Sequence, residues 1–154
     1  MPPEQAGSNG SLTETSAKAI DTAREELVGI ALDIHAHPEL NYEEFHAAKL
    51  LSDTLEAHNF SVERGIGGVE TAFRATLEGG AGDGPTVAVL AEYDALPEIG
   101  HGCGHNLIAM AAIGASFGLD CYVNDRLREF DLLELHGGRF VAERIPRRRV
   151  FESN

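Results

Sequence analysis

The chain has 154 residues, the length of one ordinary domain, and a chain of that size can bury roughly 70% of the surface exposed on unfolding. Its formal net charge of −13 argues against a nucleic-acid partner, because a phosphate backbone would be repelled. No apolar run reaches the roughly 18 residues that a membrane span needs. The opening MPPEQAGSNGSLTETS also lacks the basic and apolar regions of a secretory signal, so the expectation is a cytoplasmic protein with no membrane partner.

Residues 1–14 are polar, with Pro, Gly and Ser, and read as a tail outside the domain. From Thr15 the spacing turns helical: Ile20, Ala23, Leu27, Ile30 or Ala31, and Ile34 fall on one face, and Pro38 should end the run. Asn41 and Glu44 have the spacing of a capping box, so a second helix is expected from Asn41, with Phe45, Ala48, Leu51 and Leu55 as its buried stripe. Period-two alternation follows, with Val69, Thr71, Phe73, Ala75 and Leu77 on one side. GGAGDGP, residues 79–85, is a loop by composition. TVAVLA, 86–91, suits a strand buried on both faces, and LIAMAAIGASFGL, 107–119, a helix buried all round. This order argues for an α/β layered domain.

Between that strand and that helix lies EYDALPEIGHGCGHN, residues 92–106, where open α/β sheets collect ligands. Glu92, Asp94, Glu98, His101, Cys103 and His105 are concentrated there, and the glycines at 100, 102 and 104 permit a tight fold. A thiolate and an imidazole are preferred zinc ligands, which makes Cys103 and His105 the leading metal candidates. The helix that follows favours the thiolate form, and Asn106 is placed to cap it. His101 and Asp94 have blander readings as loop supports. Cys103 as a nucleophile, with His105 or His101 as its base, is the chemical rival, and spacing alone leaves both open. Two cysteines, Cys103 and Cys121, cannot make a disulfide framework in a chain this long.

The segments IHAHPELNYEE (34–44) and AEYDALPEIGHGCGHNLIAMAAIGAS (91–116) resemble the amidohydrolase branch of peptidase family M-twenty, a group of aminoacylases, dipeptidases, hippurate hydrolases and aminobenzoyl-glutamate hydrolases. The resemblance runs over roughly residues 18–119. It implies the amino-terminal part of a zinc-peptidase-like catalytic domain, with a mixed sheet flanked by helices and a pair of divalent ions. Zinc is the expected metal, with manganese or cobalt as alternatives, and the substrate is a small amide or dipeptide. By the same resemblance Cys103 and His105 are metal ligands. Asp94 lies beside the metals in a supporting role, and Glu92 stands where relatives often carry Asp or His. Asn106 stands where many relatives have Asp. An inserted lid and dimerisation domain is also implied, with no counterpart in this chain.

After Leu119 the resemblance stops, and the Glu-Glu pair that supplies the base and a further ligand in relatives is missing. The catalytic base is therefore unassigned. Glu134 and His136 have no spacing that makes them substitutes. Residues 1–119 carry 18 acidic and 5 basic residues, whereas 120–154 carry 7 of each and no lysine. That change is what a frameshift or an early-terminated reading frame would leave, so 120–154 is expected to be a tail foreign to the family, truncating and inactivating the enzyme. A short amphipathic helix over 124–135, through Leu127, Phe130 and Leu133, is the expected structure there, with no continuation of a parallel sheet. A non-catalytic metal-binding or interaction module derived from the family is the competing reading.

Overall fold

The computed structural model describes residues 9–78, 86–123 and 129–134. In order these are α1 (Asn9–Thr22), α2 (Arg24–Ala36), α3 (Phe45–Ala57), β1 (Ser61–Arg64), β2 (Phe73–Glu78), β3 (Thr86–Ala91), α4 (His105–Val123) and β4 (Glu129–Glu134). The four strands form one mixed sheet in the order β1-β2-β4-β3, with β4 antiparallel to β2 and parallel to β3. The helices supply the second layer of an α/β arrangement.

The apolar positions explain the packing. Leu27, Ile30 and Ile34 of α2, Leu51 and Leu55 of α3, and Ala109, Ala112, Ile113 and Phe117 of α4 join Phe73, Ala75, Ala91 and Tyr93 in one core. Two glycines set how closely the helices approach. A Cβ at Gly114 would stand 3.2 Å from Leu27 Cδ1, and one at Gly118 would stand 3.0 Å from Ile20 Cδ1. Four residues apart on α4, they give α2 and α1 a shallow surface on which to lie.

Several expectations are corrected. Helix α1 already begins at Asn9, so residues 9–14 are helical rather than without structure, and the single helix expected up to Pro38 is divided at Ala23. The second helix starts at Phe45 rather than Asn41. No capping box forms. Instead the Glu39 carboxylate accepts the backbone N–H groups of His46 (2.8 Å) and Ala47 (2.9 Å), meeting unpaired donors at the positive end of α3. The buried stripe of α3 is Ala47, Leu51, Ser52 and Leu55, and Phe45 is exposed. Strand β3 is not covered on both faces: Ala91 is buried, but Leu90 is 48% exposed. Nor is α4 buried all round, because Leu107 is 54% exposed and Ile108 40%. Within the helix expected over 124–135, the described residues Glu129–Glu134 form β4 instead, which does continue the sheet, in parallel with β3. The expected loop at 79–85, the residues before Asn9 and those after Glu134, His136 among them, lie outside the described residues.

Candidate functional site

The loop between β3 and α4 is fixed at both ends by backbone hydrogen bonds. Ala95 N–H donates to Glu39 O at 2.6 Å, and Leu40 and Ala95 form an isolated bridge, so the turn after α2 braces the start of the loop. Leu96 and Gly100 exchange backbone hydrogen bonds, each 2.9 Å, across a tight turn. Gly100 has φ 63 and ψ −135, a region open to glycine and costly for other residues. Gly104 (φ 83) ends the short helical turn His101–Cys103 and its carbonyl accepts from Leu107 and Ile108, so the chain enters α4 there.

That path brings most of the expected site residues together. His105, the first residue of α4, points its Nδ1 at Asp94, 2.7 Å from Oδ1 and 3.1 Å from the backbone O. Its Nε2 lies 3.2 Å from Glu92 Oε2. Asp94 is buried, His105 largely so, and Glu92 reaches towards solvent. Cys103 is exposed, with Sγ 3.9 Å from Asp94 O. Glu98 is exposed with φ 64.

His101 differs from its neighbours. It is buried, and neither ring nitrogen reaches a hydrogen-bond partner among the described residues. Burial holds its pKa below the usual imidazole value, and the nearby His35 pushes the same way. The His35 ring lies 6.2 Å away, centroid to centroid. His35 stands inside the IHAHPEL segment, and only the docking of α2 beside the loop makes it a neighbour of His101. Asn106 does not cap α4. Its Nδ2 donates to Ala31 O at 3.0 Å and ties α4 to α2.

Cys103, His105 and Glu92 are the loop's candidate donors for a cation, although their ligand atoms do not all fall within 4.8 Å of one another. A carboxylate at Nδ1 orients the ring and turns Nε2 towards Glu92, and an outer carboxylate of this kind is the usual partner of a metal-binding imidazole. The nucleophile reading fares worse. Both ring nitrogens of His105 face carboxylates, and no imidazole among the described residues hydrogen-bonds Cys103.

No family model matches the chain. Pairwise comparisons are decisive instead. The chain is 38% identical over 115 residues to a p-aminobenzoyl-glutamate hydrolase component of Escherichia coli, a match covering 64% of this chain and 23% of that protein. It is 40% identical over 115 residues to the human Xaa-Arg dipeptidase, covering 68% of this chain and 26% of that protein. A dinuclear metal-binding peptidase of the M-twenty family from Bacillus subtilis superposes with a TM-score of 0.65 at 25% identity, over 76% of this chain and 35% of the other. The matched part of the chain belongs to peptidase family M-twenty. A putative aminohydrolase of Staphylococcus aureus shares the fold, with a TM-score of 0.71 at 20% identity over 81% of this chain and 35% of the other. This M-twenty segment spans about a quarter of the length of the curated relatives it matches.

Proposed function

We propose that the chain carries part of the metal centre of an M-twenty amide-bond hydrolase, acting on N-acyl amino acids or dipeptides, with Cys103 and His105 as metal ligands. One observation carries the reading: His105 is clamped between Asp94 at Nδ1 and Glu92 at Nε2, and the exposed Cys103 Sγ lies 3.9 Å from the Asp94 backbone O. The donors suit a divalent ion of the zinc class, and manganese and cobalt fit the same oxygen and nitrogen set. Such an ion, when bound, makes water acidic and polarises an amide carbonyl.

The protein's own part is positional. Asp94 fixes the ring plane and tautomer of His105, and the Glu39–Ala95 bond holds the loop against the turn after α2. Glu92 adds negative charge on the Nε2 side. The names of the relatives favour a small amide or dipeptide substrate. The resemblance puts the family's base in a Glu-Glu pair for which the matched segment has no counterpart, so no residue of this chain is assigned that role. Losing a general base typically costs a factor of about 10²–10⁴ in rate, and no measurable hydrolysis by the isolated chain is expected.

Cobalt(II) tests the ligands. Bound through Cys103, it should give a thiolate charge-transfer band in the near ultraviolet, absent from Cys103→Ala and weakened in His105→Ala. Asp94→Asn should retain the band and lower affinity about 10–100-fold, as loss of an orienting partner does. A complex with no Cys103-dependent band would overturn the assignment.

A further inference from the structure

A second cluster of metal-ligating side chains lies outside the loop, on the junction of α2 and α3. Asp33 and His37 stand four residues apart at the end of α2, and His46 is the second residue of α3. One ligand atom from each falls within 4.8 Å of the others. The His46 Nε2 contacts Asp33 Oδ1 directly, His37 Nδ1 lies 3.4 Å from the same oxygen, and the two imidazole rings are 4.4 Å apart. Among the described residues no other Asp, Glu, His or Cys group converges three donors so closely, the loop at 92–106 included.

We propose that Asp33, His37 and His46 form a separate binding site for a borderline divalent transition ion, of the zinc, cobalt or nickel class. Two imidazoles and one carboxylate are the donor set such ions prefer over calcium or magnesium, which take oxygen ligands. The backbone at His37 and at His46 is held by hydrogen bonds. Glu39 holds the His46 N–H at 2.8 Å, and the His37 N–H bonds back to Asp33 O and Ile34 O, both at 3.1 Å. All three side chains are about half exposed, so an ion can enter without a large desolvation cost. Three protein ligands leave at least one position for water. Binding replaces the contacts already present: His46 gives up Asp33, and the His37 Nδ1, which donates to Asp33 O at 2.9 Å, either loses its proton or leaves ligation to Nε2. Metal uptake therefore competes with protons at the two imidazoles. This site does not depend on the reading of Cys103 and His105.

The experiment uses the full chain with Cys103→Ala and His105→Ala, which removes the loop ligands, and titrates zinc or cobalt(II) in a non-chelating buffer. One equivalent should still bind. His46→Ala or His37→Ala should then weaken binding by more than the roughly 10–100-fold that loss of an outer-shell partner costs. Unchanged affinity in both variants, or no binding at all, would overturn the proposal. Because His46→Ala also removes the contact with Asp33, a second measurement uses no further substitution. Cobalt(II) should shift or broaden the ring resonances of His37 and His46 and leave those of His58 sharp. Equal effects on His58, or none on His37 and His46, would refute the site even if the variants failed to fold.

Discussion

The loop side and the open face of the sheet are built by different means. Around 37–44 and 92–106, position is fixed by backbone hydrogen bonds and buried polar groups: Ala95 to Glu39, Asn106 to Ala31, His105 to Asp94. Tyr42 N–H and Thr71 Oγ1 both donate to the Glu44 carboxylate, which has no exposed surface, and Tyr93 OH donates to Thr71 O at 2.6 Å. Across the sheet, Leu90 on β3 faces away from the helices with 48% of its surface exposed, and on β2 Arg74 and Thr76 share the outward alternation. One region is specified by direction, the other by how much apolar surface it covers. A site that depends on angles of an imidazole belongs in the first.

The sharpest test of that contrast pairs two apolar truncations. Phe73 is 1% exposed and stacks at 6.3 Å on Tyr93, so Phe73→Ala should cost about 3–5 kcal/mol. That is a large share of the roughly 5–15 kcal/mol that holds a domain folded. Leu90→Ala on the open face should stay within about 0.5 kcal/mol. Urea titrations followed by circular dichroism measure both. Similar costs at the two positions would mean that Leu90 is covered in solution and that the contrast is false.

The next effect is smaller and concerns the buried polar side. Thr71 Oγ1 lies 2.7 Å from Glu44 Oε2, and Thr71→Val keeps the shape while removing the donor. A buried acceptor left short of a partner costs about 1–3 kcal/mol, more if it is charged. Thr71→Ser, which keeps the hydroxyl, should lose less. If Val and Ser are equally destabilising, the hydrogen bond is not what holds Glu44 in place, and methyl packing is.

How much of this was legible in the sequence follows the same division. The periodic stretches announced α2, β2, β3 and α4, because burial on one face leaves a repeat in the residues themselves. Strand β1 has four mostly exposed residues, and nothing in SVER sets it apart from a turn. Leu127, Phe130 and Leu133 have helical spacing, yet 129–134 lies between two strands, and that pairing is a non-local fact no local period encodes. Asn41 and Glu44 fit a capping pattern, but Glu39, two residues upstream of the pattern, reaches the helix end and takes the role. In the loop, Asp94, Glu92, Cys103 and His105 stand out as candidates because they share one segment, and the structure brings His105 against Asp94 and Glu92. His35 and the Asp33–His37–His46 group do not stand out, since helix packing rather than sequence neighbourhood brings them together.

The smallest expected effect is electrostatic and lies on α3, away from both regions. Asp53 is held below its ordinary carboxyl value of 3.8, first by its hydrogen bond from Lys49 and then by the charges of Lys49 and Arg64, which together outweigh desolvation in the other direction. Arg64 Nη2 donates to Asp53 Oδ1 at 2.8 Å and to Glu56 Oε2 at 2.9 Å, linking β1 to the helix. Because the folded state binds the Asp53 proton less readily than the unfolded chain does, the contribution is fully present above pH 3.8. It fades as pH falls through the folded value. The side chain is 46% exposed, so solvent screens the pair and the gain is small. Carboxyl NMR should show Asp53 titrating below 3.8, and Lys49→Met should move its midpoint up towards that value. Asp53→Asn should lower the melting temperature slightly at pH 6, and by progressively less as pH falls below 3.8. A midpoint already at 3.8 in the parent protein would show that water, not Lys49, solvates this carboxylate.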